Sequence, residues 1–203
     1  MSIKIKNVEV YGLEQSLIRS GFPMETGEPN DYPLNDETDF NKSEIRAGKL
    51  ANTPIGSGHN NFLKGIIVQF DLQYPEYFSP QLQRYNFVDI VSSQSKMHRI
   101  TSRELTKEDF TIFVDNLFID RLNSLIYAYN NPNELTLSKS ELFKKIISNL
   151  PSGYLKWMAI STNYLQLKTI YKQRRNHKLI EWKLFCDWIE RLPMADKLIV
   201  SNK

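Results

Sequence analysis

The segment Asn163-Tyr164-Leu165-Gln166-Leu167-Lys168-Thr169-Ile170-Tyr171-Lys172-Gln173-Arg174 decides more of the fold than any other part of the chain. At 3.6 residues per turn, Asn163, Leu167, Ile170 and Arg174 fall along one stripe, and the amide and the guanidinium stand about 16 Å apart. A hydrogen-bonding amide at one end and a fork-shaped cation at the other suit two parts of an extended ligand. A plainer reading stands beside it. Asn163 caps an amphipathic helix, and the Lys172-Gln173-Arg174-Arg175 end is solvated and complements the helix dipole.

Working outward, Ser138 and Glu141 have capping-box spacing, and Leu142, Phe143, Ile146, Ile147 and Leu150 then recur at helical intervals until Pro151. After Pro151-Ser152-Gly153 comes a short apolar stretch, followed by predicted helices over Thr162 to Arg175 and Lys178 to Arg191, the second ended before Pro193. Another helix is expected near Leu117 to Tyr129. Pro80 suits the first turn of one running to about Ser95, with Leu82, Tyr85, Ile90 and Val91 as its apolar stripe. In the first half, Ile3, Ile5, Val8 and Val10 alternate as an opening strand before a helical piece, Leu13 to Ser20, closed by Gly21. Ser43 to Ala51 has modest helical character. The turn-rich Thr53 to Asn60 precedes a strand over Ile66 to Leu72, whose Val68, Phe70 and Leu72 share a face. Residues 22–42 are polar, acidic and rich in Pro and Gly, which reads as a long surface loop. The order is α+β and helix-heavy, with its few strands in the first half, in one domain spanning 1–203.

Composition narrows the function classes. A chain of 203 residues with 41% hydrophobic and 24% charged residues is an ordinary globular one, and its 12% aromatic share offers stacking surfaces for planar ligands. A net charge of +3 is too small to compel nucleic-acid binding, although Lys172, Arg174, Arg175 and Lys178 near Tyr171 and Trp182 are where such binding would occur. Cys186 is the only cysteine, so no internal disulfide forms and a cytoplasmic setting is expected. The apolar runs fall far short of the roughly 20 residues that span a bilayer. There is no P-loop, dinucleotide-type glycine fingerprint, nucleophile elbow or His/Cys cluster at metal-ligand spacing, so no metal is expected.

The stretch Gln94-Ser95-Lys96-Met97-His98-Arg99-Ile100-Thr101-Ser102 places a histidine beside an arginine between two apparently helical regions. Arg99 suits a bidentate phosphate contact and His98 a ring N–H donor, while a solvated surface pair is the alternative.

In chain order, these stretches resemble the flavin-dependent thymidylate synthases. That family has a histidine ahead of its first central strand and a glutamine three residues before an Arg-His-Arg-x-x-Ser run. A Leu-Pro follows, then Asn-x-Arg-Ser-Leu with an arginine eleven residues after the Asn. His59, then Gln94 with Met97-His98-Arg99-Ile100-Thr101-Ser102, then Leu150-Pro151, then Asn163 with Leu167 and Arg174 occupy those places, and His177 stands where the family often has a histidine. The resemblance implies a helix-rich fold with a small central sheet. It implies FAD held by His59, His98, Arg99, Ser102 and Asn163, with Gln94 near the nucleotide or flavin and His177 near a pyrimidine nucleotide such as dUMP. Arg174 would polarise the uracil ring. NADPH and methylenetetrahydrofolate would be co-substrates, and the assembly would be a homotetramer with sites shared between subunits.

The departures cluster by role. Met97 replaces the first arginine of the triplet, Leu165 replaces the arginine two residues after the asparagine, and Ile147 stands where the family usually has an arginine. After Ser102 the family's phosphate-holding continuation gives way to Arg103-Glu104-Leu105-Thr106-Lys107-Glu108-Asp109, in which Arg103 and Lys107 are the candidate replacements. Three functions follow: reductive methylation of a deoxyuridine nucleotide, modification of a different pyrimidine nucleotide by a related flavoenzyme, or a non-catalytic scaffold that keeps the fold.

Overall fold

The structure is a computed structural model that describes residues 3–28, 37–131 and 137–200. The opening alternation forms β1 (Lys4–Tyr11). It ends at Gly12, whose φ of +72° is left-handed and whose Cβ, if present, would lie 2.6 Å from the Gly65 carbonyl oxygen. The helix α1 (Leu13–Arg19) follows, with Leu17 fully buried.

The segment expected as a loop over residues 22–42 is shorter than that. Phe22–Met24 form a single 3₁₀ turn, and α2 (Glu37–Ala51) begins inside the expected loop; residues 29–36 lie outside the described ones. The buried face of α2 is built from Ser43, Ala47 and Ala51 at four-residue spacing, small side chains that let the helix approach α1 closely but give almost no hydrophobic signal.

The strand β2 (Ile67–Pro75) buries Val68, Phe70, Leu72 and Tyr74 on one face, as the alternation requires. The helix expected from Pro80 to about Ser95 stops after one turn as α3 (Ser79–Leu82), and Ile90 and Val91 lie instead in β3 (Asp89–Ser93). Two adjacent β-branched residues favour the extended backbone, and their helical spacing from Leu82 was coincidental. Next come the single turn α4 (Lys96–Arg99), α5 (Asn116–Asn130) and α6 (Lys139–Ser148). The capping box of α6 forms as expected: Ser138 Oγ accepts from Glu141 N at 3.3 Å, and Glu141 Oε2 accepts from Ser138 N at 2.8 Å. The short apolar stretch after Gly153 is a nine-residue strand, β4 (Leu155–Asn163), so the sheet also draws on the second half of the chain. It leads without a break into α7 (Tyr164–Arg174), followed by α8 (Ile180–Ile189) and α9 (Ala195–Leu198).

The four strands form one antiparallel sheet in the order β1-β2-β4-β3, and the chain is α+β and about half helical. Among the described residues no helix is long and apolar enough to cross a membrane.

The chain divides into two compact units, and each strand gives residues to both. One comprises Met1–Ile5, Asp71–Arg84 and Ile90–Ala159. Its core joins α5 to α6 through Leu122, Leu125, Ile126, Leu142 and Ile146, with Ile100, Leu105 and Phe110. The other comprises Lys6–Phe70, Tyr85–Asp89 and Ile160–Lys203. Here α7 packs on α8, and Phe70, Phe185 and Trp188 stack with ring centroids 4.5 to 6.0 Å apart. Such pairs add about 0.5–1.5 kcal/mol each beyond the area they bury.

In the first unit, Glu76 joins β4 to α4. Lys156 Nζ lies 2.8 Å from one carboxylate oxygen and Lys96 Nζ 3.1 Å from the other. Burial pushes the Glu76 pKa up, but the Lys156 and Lys96 ammoniums outweigh it and leave the group below the ordinary carboxylate range. A carboxylate whose folded pKa is depressed stabilises the fold above its unfolded value, and that contribution disappears as the pH falls through the folded one. Glu76→Gln is therefore expected to cost about 1–3 kcal/mol at pH 7. Its difference from the wild type should shrink as the pH drops below about 4; urea denaturation at pH 7 and at pH 3 checks both.

Candidate functional site

Asn163 is the last residue of β4 and the N-cap of α7, and its Oδ1 accepts from Gln166 N at 2.9 Å. The capping reading of Asn163 is thus realised. The stripe it begins is real as well, because Leu167 and Ile170 are fully buried and Arg174 closes the helix.

Arg174 is fixed by contacts that a solvated helix end does not make. Its Nε donates to the Tyr85 hydroxyl at 2.8 Å, and that hydroxyl lies 3.1 Å from Gln173 Oε1, to which it donates. The guanidinium carbon sits 4.9 Å from the ring centre of Trp182 and 5.7 Å from that of Tyr85. The hydroxyl and the two rings hold the plane, and neither Nη group donates to a described residue. A planar fork with both terminal donors available is suited to a carbonyl or a carboxylate. His177 stands edge-on to the same indole, 6.4 Å between ring centres. Its Nδ1 accepts from Leu179 N at 3.1 Å, and burial, Arg174 and Lys178 hold its pKa below the usual histidine value. At neutral pH the imidazole is uncharged, with Nε2 as its N–H donor.

At the start of α7 a cleft of about 240 Å³ is lined by Asn61, Lys64, Phe87, Asn163, Leu165 and Gln166, among others. Leu165 faces this cleft where the resembled family has an arginine, and Lys64 brings a cation to it. Phe87 presents a half-exposed aromatic face, and its backbone is fixed at both ends: Thr162 Oγ1 donates to its carbonyl at 2.7 Å, and its N–H donates to Gln166 Oε1 at 3.4 Å. The amides and the ammonium fit the polar edge of a planar ligand, and the phenyl face fits its ring. A volume of about 240 Å³ accepts part of a molecule the size of FAD. His59 is exposed in the neighbouring loop, between Gly58 at φ +83° and Asn60.

The first unit holds the remaining candidates. The Gln94 side chain continues the strand ladder: its backbone N–H donates to Trp157 O at 2.9 Å and its Oε1 accepts from Trp157 N at 3.3 Å. It borders a shallow hollow with Asp71, Ser92, Ser93 and Met158. His98 and Arg99 are exposed on α4, and Ser102 Oγ donates to the Arg99 carbonyl at 2.7 Å, ending that turn. Lys107 is exposed on the next 3₁₀ turn. Arg103 is half exposed and paired with a carboxylate. Its two Nη atoms lie 2.8 and 2.5 Å from the two oxygens of Asp109, so the fork is already matched to a carboxylate.

Tyr85, Gln173 and Lys64 are not singled out as site residues by the sequence, and Trp182 is so only as an aromatic beside a basic face. Tyr85 reads there as one member of an apolar stripe, and nothing in spacing links it to an arginine 89 positions later. Cys186 is no candidate nucleophile, since burial pushes its thiol up to about 12. Among the described residues no cluster of three metal-ligating side chains occurs.

Sequence comparison with protein-family models finds no match, and comparison with curated proteins finds none either. Comparison of structures does find likenesses. ThyX from Helicobacter pylori, a flavin-dependent thymidylate synthase complexed with FAD and dUMP, superposes with a TM-score of 0.68 at 17% identity, over 98% of each chain. A second structure of the same enzyme with FAD and dUMP gives 0.67 at 16% identity, over 98% of this chain and 97% of that one. PolB from Streptomyces cacaoi, a UMP/dUMP methylase bound with 5-Br dUMP, gives 0.62 at 12% identity, over 97% and 91%. A likeness that runs nearly the whole length of both chains, at identities this low, is one of architecture: this chain has the fold of the flavin-dependent thymidylate synthases.

Proposed function

We propose that the protein is a flavoenzyme that reductively methylates the pyrimidine of a deoxyuridine nucleotide, with FAD as cofactor and with NADPH and methylenetetrahydrofolate as co-substrates. The observation that carries this reading is Arg174, held by Tyr85 and Trp182 with its terminal donors available. Two N–H groups in one plane stabilise negative charge that develops on a pyrimidine carbonyl, and a guanidinium already fixed loses little freedom in doing so. The neutral imidazole of His177 beside it can donate to the same ring without adding charge. FAD, when bound, supplies the redox chemistry. In this reading His59, His98, Arg99, Ser102 and Asn163 are the residues that hold it, and Lys64 and the Phe87 face stand beside Asn163. Arg99 matters most among these, because a desolvated guanidinium–phosphate contact is the strongest available.

A second reading, modification of a different pyrimidine nucleotide, is favoured by Arg103. With that fork on Asp109 and with Met97 and Leu165 in place of arginines, the phosphate-binding set of the resembled family is thin. Lys107 and Gln94 remain for the substrate.

Assembly as a homotetramer is part of the proposal. Ile112, Phe113, Leu117 and Phe118 are 84, 78, 77 and 53% exposed within seven residues, an apolar patch that a lone chain leaves in water.

Three measurements test this. The purified protein is expected to show flavin absorbance bands that Arg99→Ala diminishes; a colourless protein that gains no bands when FAD is added would leave only the scaffold reading. Arg174→Lys is expected to retain flavin but to slow pyrimidine-dependent oxidation of the reduced flavin by about 100-fold or more, measured anaerobically by stopped flow with dUMP and then with other pyrimidine nucleotides. Replacing both Phe113 and Leu117 with Ser is expected to lower the mass seen in sedimentation equilibrium while circular dichroism stays unchanged.

A further inference from the structure

The larger cleft in the second unit lies elsewhere on α7. Its volume is about 640 Å³, in the range of small-molecule sites, and it is bounded by the loop before His59, by α7 and by Ile199 and Val200. Lys168, Lys172 and Arg175 reach it at i, i+4 and i+7. That row is turned by roughly a third of a revolution from the row of Asn163, Leu167, Ile170 and Arg174. No Asp or Glu is among its lining residues.

The three cations differ in how they are balanced. Arg175 is neutralised by Asp187, on which its Nη1 sits, and by Glu190, 3.3 Å from Nη2. Lys172 is exposed and pairs with no described carboxylate. Lys168 is only 4% exposed, and its ammonium rests on two backbone carbonyls, those of Leu198 at 3.3 Å and Ile199 at 3.4 Å. Both bonds are long, both acceptors are uncharged, and a third N–H is left over. A buried ammonium with no described carboxylate beside it is an unusual arrangement, because buried charges are ordinarily paired. Burial, and then Lys172, lower its pKa, as that lack of a counter-charge implies. Pro54, Ile55, Ile199 and Val200 give the cleft apolar walls next to these two ammoniums.

We infer that this cleft binds a phosphate monoester with an apolar or aromatic body, its dianion between Lys168 and Lys172 and its body against Pro54, Ile55, Ile199 and Val200. Two cations that no described carboxylate balances call for a divalent anion, and the apolar walls distinguish an ester from the free ion. The site shares no residue with the flavin and pyrimidine positions proposed above, so it stands or falls separately from them.

The test uses the full-length protein and three probes, phenyl phosphate, inorganic phosphate and phenol, in calorimetric titrations with amide NMR shifts recorded alongside. Phenyl phosphate is expected to bind at least about tenfold more tightly than either fragment, with shifts at Thr53, Ile55, Ile199 and Val200. Lys172→Ala, a change at an exposed position, is expected to weaken it about tenfold or more, as is Lys168→Met wherever circular dichroism shows that variant folded. Arg174→Lys should leave it unchanged. Equal binding of phenyl phosphate and inorganic phosphate, indifference to Lys172→Ala, loss on Arg174→Lys, or shifts confined to residues outside the cleft would each overturn the inference.

Discussion

The junction at Asn163 governs the second unit. One amide ends a strand and starts a helix: its carbonyl oxygen takes the Gln166 N–H, while the next residue, Tyr164, gives its own N–H to the Ile66 carbonyl at 3.0 Å. With no loop between β4 and α7, the direction of the helix is set by the sheet, and a residue three turns along cannot drift relative to it. That is why Arg174 meets Tyr85 and Trp182 at bonding distance although it lies at the end of a helix, where fraying is ordinarily expected. The buried hydroxyl of Tyr164, which donates to the Pro193 carbonyl at 2.7 Å and whose pKa burial raises, ties the same junction to the segment before α9.

The legible parts of the fold were those where one local rule acted alone. The capping box of Ser138 and Glu141, the alternation of β2 and the helix of Leu117 to Tyr129 each follow from contacts within a few residues. Misreadings occurred where tertiary pairing overrode local pattern. Ile90 and Val91 imitate the continuation of a helix from Leu82, but pairing with β4 makes them strand. The buried face of α2 is serine and alanine, invisible to any hydrophobic periodicity. The stretch 155–163 is too evenly apolar to tell strand from helix by period, and only its place in the sheet decides it.

The same division applies to the candidate site. Asn163 and Arg174 are readable because helical spacing links them, and His98 and Arg99 because they adjoin in sequence. Tyr85 and Trp182 are unreadable, since their relation to Arg174 exists only in three dimensions. Arg103 shows the converse. Its charge and position suggest a phosphate ligand, and only the structure shows that Asp109, six residues on and held in the Thr106 capping turn, pairs with it. A sequence lists cations without saying which are already spent on a neighbouring carboxylate.

The indole of Trp182 gives the second unit an internal optical reporter. It is wholly shielded from solvent, with the Arg174 guanidinium over the ring system and the His177 imidazole edge-on to it. Emission from an indole in such a place responds to the charges beside it and hardly at all to the solvent. Trp188 packs on Phe70 and Phe185, and Trp157 belongs to the first unit, so replacing both with Phe would isolate the signal of Trp182. The side chain that holds the arginine flat would then also make any change in its surroundings visible as a change in brightness or wavelength.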